Sequence, residues 1–130
     1  MTHRKFTTVA ALSLAAALVA PGPALAGPDH DLKPKHGGVV VEAKNLDFEL
    51  VARPDRLALH VRDHGKAADV SKASAKLTLL SGSTKSEAQL VPAGDRLEAK
   101  GNFNAAAGTK VVAVVTWAGK APVTARFTVK

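Results

Sequence analysis

The sequence predicts an all-β fold: an Ig-like antiparallel β-sandwich of seven to eight strands. Two observations carry this reading. From His36 onward, apolar residues recur with a period of two rather than 3.6. Turn-forming residues also punctuate that pattern at short intervals: Lys44-Asn45, Pro54-Asp55, His64-Gly65, Ser81-Gly82-Ser83, Pro92-Ala93-Gly94-Asp95, Ala107-Gly108 and Gly119-Lys120. No long amphipathic helix pattern interrupts them.

Ahead of this domain, residues 1–26 read as a cleavable signal peptide. Arg4 and Lys5 supply a basic start, residues 9–20 are apolar and uncharged, and Ala24-Leu25-Ala26 is a small-x-small cleavage site. The apolar run is shorter than the ~20 residues that span a bilayer, so no transmembrane span is expected. The expected location is therefore the periplasm. Residues 27–35 carry two prolines and several charges and read as a flexible leader. Residues 36–130 form the single sandwich domain.

Eight strand segments follow from the pattern: 38–43, 46–53, 56–63, 75–81, 86–91, 96–101, 109–117 and 122–129. The first three can be registered. A two-residue turn at Lys44-Asn45 sets Val41 against Phe48 and Val39 against Leu50. A turn at Pro54-Asp55 sets Ala52 against Leu57, Leu50 against Leu59 and Phe48 against Val61. Both turns place apolar residues on one face, and a one-residue slip would turn that whole set outward. The same register puts Glu42, Asp47, Glu49, His60 and Arg62 on the other face, continued by His64, as an exposed polar patch. Residues 67–75 have no clear period and fit one helical turn or a crossover. Residues 110–117 are apolar on both faces, the mark of a central, doubly covered strand. Trp117 and the phenylalanines are expected in the core.

Composition narrows the chemistry. There is no Cys, which excludes disulfides, thiolate metal sites and thiol nucleophiles. Loss of Arg4 and Lys5 with the signal reduces the formal net charge from +7 to +5. There is no Lys/Arg block, no Tyr and one Trp, so nucleic-acid binding finds no support. No serine sits in a nucleophile elbow, and no glycine-rich phosphate loop opens a helix. An enzyme is not expected.

The remaining chemistry is that of histidine, the commonest metal-ligating side chain. His60 lies across from Glu49 in the register, close enough for both to reach one ion. His36 and His30 stand in or beside the leader and could add donors. Candidate metal ligands are thus His60, Glu49, His36 and His30, with Cu(II) or Zn(II) as the ion. The competing reading of the same residues is a solvated ion-pair ladder.

Several segments carry a resemblance: His36-Gly37-Gly38-Val39-Val40, Phe48-Glu49-Leu50-Val51, Leu57-Ala58-Leu59-His60-Val61-Arg62-Asp63-His64-Gly65-Lys66 and Leu90-Val91-Pro92-Ala93-Gly94-Asp95. The chain resembles small periplasmic bacterial proteins. It is also similar to the accessory N-terminal region of periplasmic adaptor proteins from heavy-metal efflux pumps of the RND type. The resemblance implies a non-enzymatic accessory or metal-binding role in copper- or zinc-type homeostasis, with an efflux-system component as partner. Only His36 maps onto the shared His-Gly-Gly opening. The sole Met is Met1, so thioether ligands for Cu(I) are missing. The alternative is an Ig-like interaction module that binds a protein or envelope partner without metal.

Overall fold

The structure, a computed structural model, describes residues 32–130. The signal peptide expected at residues 1–26, the first part of the leader and His30 lie outside the described residues.

The described residues form nine strands: β1 (Val39–Ala43), β2 (Leu46–Arg53), β3 (Arg56–Asp63), β4 (Lys66–Ala67), β5 (Ala73–Ser81), β6 (Thr84–Ala93), β7 (Arg96–Lys100), β8 (Lys110–Trp117) and β9 (Val123–Thr128). They form one antiparallel sheet in the order β1-β2-β3-β7-β6-β5-β8-β9, with the short β4 paired to β3. The two end strands, β1 and β9, lie against each other, so the sheet is nearly closed into a barrel. Strand β6 joins its two halves. Residues 84–90 pair with β5, and residues 91–93 pair with β7. A strand shared in this way lets one sheet wrap around its own apolar face without leaving long edges open.

The register of the first three strands matches the pairing expected from the sequence. Val39 pairs with Leu50 and Val41 with Phe48; Phe48 in turn pairs with Val61, and Leu50 with Leu59. The β1–β2 turn has Lys44 and Asn45 both at positive φ (52° and 65°), the combination that matches the right-handed twist of a two-residue hairpin. His64 and Gly65 repeat this at the β3–β4 turn. The sequence pattern missed β4, which is only two residues long.

The unassigned stretch after it is a crossover. Ala68 N–H donates to Val61 O at 2.9 Å and Ala73 N–H to Val70 O at 3.0 Å, while buried Val70 plugs the core between them. No helix occurs among the described residues.

The core is the inward face of the wrapped sheet. Phe48, Leu57, Leu59, Leu77, Leu90, Leu97, Ala113 and Val115 are fully buried in it. Full burial of one such Leu or Phe contributes roughly 1.5–3 kcal/mol, which is how a domain without disulfides holds together. Trp117 is half-buried at the rim. It is tilted against Phe48 with ring centroids 6.5 Å apart, and its Nε1–H donates to Asp69 O at 3.1 Å.

Strand β8 departs from expectation on one side. It lies between β5 and β9, and Val111, Ala113 and Val115 point into the core as expected. Its other face carries Val112 and Val114, which are only half-buried.

Candidate functional site

The polar residues that the register places on the outer face of β2 and β3 are present there, but they are not exposed. Asp47, Glu49, His60 and Arg62 are all buried. This corrects the expectation of a solvated patch, and the physical reason is the segment before β1. Residues 33–38 lie across this face as a strap, and three of their backbone N–H groups point at Glu49.

The geometry is specific. Lys35 N–H donates to Glu49 Oε1 at 2.9 Å, and His36 N–H and Gly38 N–H donate to Oε2 at 2.8 and 2.9 Å. Arg62 Nη1 donates to Oε1 at 3.0 Å, and its Nη2 donates to Lys33 O at 3.2 Å. Arg62 therefore grips the carboxylate with one nitrogen and the strap backbone with the other. The later part of the expected flexible leader is thus anchored in place.

Gly38 is needed for the approach. A Cβ there would collide with Leu50 O and lie 2.8 Å from Leu50 C. Only a residue without a side chain can lie that close to β2. The preceding Gly37 sits at φ 76°, where a side chain would strain the turn into it.

Burial alone pushes the Glu49 carboxyl up. The N–H donors of Gly38, Lys35 and His36, together with Arg62, outweigh burial and hold it below the ordinary carboxylate value. A carboxylate has about four acceptor positions. Four donors fill them here, so Glu49 is spent on fixing the strap. A buried carboxylate in this state is poorly available as a metal ligand or a general base.

His36 and His60 meet on the same face. Their rings stack with centroids 3.6 Å apart and 9° between planes. Burial depresses the His60 pKa, and the neighbouring His36 adds to this. Glu49 and Asp95 pull it upward, and Arg96 pulls it down again. A metal ion sits in the plane of an imidazole ligand, ~2.0–2.1 Å from its nitrogen. Two nearly parallel rings this far apart cannot hold one ion in both planes, so sharing an ion would require a ring to rotate.

The remaining histidine of the expected patch stands apart from this cluster. His64 is exposed on the β3–β4 turn, paired with Asp63. Arg96 Nε donates to Glu98 Oε2 at 2.9 Å, which neutralises the next acid along the face. Among the described residues, no group of three or more His, Asp or Glu side chains converges as a metal site. The clasp itself was hidden from sequence reasoning because its donors are backbone amides, which carry no residue signature. The Gly37-Gly38 pair was the only cue.

Compared with known proteins, the chain matches no family model, no curated protein and no solved structure. Nothing in those comparisons links it to adaptor proteins of efflux pumps.

Proposed function

We propose that this chain is a non-enzymatic, exported binding module of the periplasm that works through its strand-built surface. The observation that carries the reading is the saturation of Glu49. Glu49, a buried carboxylate paired across the strands with His60 as an active centre or metal site would use it, is committed to four N–H donors, three of them from the strap. The Ig-like sandwich inferred from strand spacing belongs to the same proposal, since such modules present sheet faces and turns to partners.

A second reading keeps Cu(II) or Zn(II), and a link to heavy-metal efflux, in play. The stacking of His36 on His60 favours it, because two nominated imidazoles are brought side by side. In that reading the ligands are these two histidines after ring rotation, with His30 as a further donor and Glu49 as their support.

Calorimetric titration of the purified protein with Cu(II) and Zn(II) at neutral pH separates the two. The module reading expects no saturable binding and an unfolding temperature indifferent to chelator. Saturable binding lost in both His36→Ala and His60→Ala would put the metal reading first.

A further inference from the structure

The outer face of β5, β8 and β9 carries a feature that the clasp does not explain. Cross-strand pairing sets Lys85, Leu80, Lys110 and Thr128 in one row, and Glu87, Thr78, Val112 and Arg126 in the next. Lys85 and Lys110 therefore stand two strand spacings apart, ~10 Å, on either side of Leu80. Leu80 is 44 % exposed, and Val112 beside it is only half-buried. Leu80, Lys85, Lys110, Val112 and Arg126 line a shallow cavity of about 400 Å³, and Glu87 lies outside it. Among the described residues, Lys85, Lys110 and Arg126 form no ion pair, whereas the one acid of the two rows, Glu87, is 3.6 Å from Lys76.

We propose that this groove binds a single-chain anionic amphiphile, of the fatty-carboxylate class, with its head group between Arg126 and Lys110 and its alkyl chain over Leu80 and Val112. Three arguments select this occupant. Three like charges around an apolar floor repel one another until an anion joins them. The backbone groups of β5 and β8 are spent in ladders on both sides, so a peptide laid on this face would find no main-chain partners, while an alkyl chain needs none. Phe127 also borders the cavity, but it is buried in the core, so no exposed ring is presented for stacked bases. The double-sided apolarity of β8 is accounted for in the same way: Val112 is the floor of a site. The inference rests on the binding-module reading and names its ligand.

The test is titration of the purified protein with sodium decanoate below its micellar concentration, followed by calorimetry and by amide chemical shifts. Saturable binding is expected, with shifts confined to β5, β8 and β9. Lys110→Glu and Arg126→Glu should each weaken it at least tenfold, and Leu80→Ser should do the same without changing charge. Lys66→Glu, on β4 beside Trp117 at the far end of β8 from Lys110, should leave it unchanged. Decyltrimethylammonium should not bind there. Absence of saturable shifts overturns the inference, as does binding of acetate as tight as that of decanoate, or an unaltered response in Leu80→Ser. Tighter binding of an acidic peptide to the same face would also overturn it. If neither decanoate nor Cu(II) or Zn(II) binds, the module reading stands and this inference falls. If only metal binds, both fall.

Discussion

Arg62 Nη1 lies 3.0 Å from Glu49 Oε1 in a contact where both side chains are almost wholly buried. A buried ion pair of this kind is not a net source of stability by itself, because both charges lose their water. Here the carboxylate regains three backbone N–H bonds and the guanidinium gains Lys33 O. The pair acts as a clasp between β2, β3 and the strap.

Removing the carboxylate should therefore cost more than removing the guanidinium. Glu49→Ala leaves three strap amides and a buried Arg62 without their acceptor, and should destabilise by about 3–5 kcal/mol. Arg62→Ala leaves Glu49 with its three amides and should cost about 1–3 kcal/mol. Urea denaturation of the single and double variants checks both. The double variant should lose less than the sum of the two, because both single changes remove the same Arg62–Glu49 contact.

Gly38→Ala should prevent the strap from seating. The new methyl would meet the Leu50 backbone, which cannot move without breaking the β1–β2 ladder. The expected cost is about 1–3 kcal/mol, as for other overpacked sites. Gly108→Ala, whose Cβ would meet nothing within 4 Å, provides a comparison in which only the positive φ is strained. Equal release of the strap amides in both variants, read by hydrogen exchange, would argue against the close approach.

Stability should fall on mild acidification. The depressed pKa of His60 means that the folded chain binds fewer protons than the unfolded one below the unfolded value of ~6.5. This contribution is intact above that pH and is lost progressively as pH drops through it toward the folded pKa. The groups around the ring are His36, Glu49, Asp95 and Arg96. Glu49, also depressed, adds a second loss at lower pH, starting near its unfolded value of ~4.3. Urea midpoints measured from pH 7.5 to 5 should decline in the parent protein and decline less in His60→Gln. Identical slopes would contradict the assignment.

Phe48→Ala tests the core independently of the clasp. Phe48 is fully buried where β2 meets Trp117, and its truncation should cost about 3–5 kcal/mol. Cooperative unfolding should persist, with the midpoint shifted and the slope unchanged.

Much of the fold was legible in the sequence because it rests on local rules. Lys44-Asn45 and Pro54-Asp55 fixed two turns, and the alternation of Phe48, Leu50 and Ala52 fixed which side faces inward. Near-closure into a barrel was not legible, since it depends on β6 dividing its pairing between β5 and β7, a long-range matter. The opposition of Glu49 and His60 was read correctly, and so was the placing of Asp47 and Arg62 on the same face. Their burial was missed because a polar strand face looks solvated until another segment covers it, and residues 33–35 look like a polar leader. His36 against His60 was likewise invisible: His36 lies ahead of the first strand, outside the period-two pattern, and the contact depends on how the strap is seated.

The central claim is that Glu49 holds the strap in place, and amide hydrogen exchange measures it most directly. In the parent protein the amides of Lys35, His36 and Gly38 should be protected like those of β2. In Glu49→Gln these three should exchange at least tenfold faster, while amides of β5 and β8 keep their protection. Unprotected strap amides in the parent protein, or protection that survives loss of the carboxylate, would contradict the account.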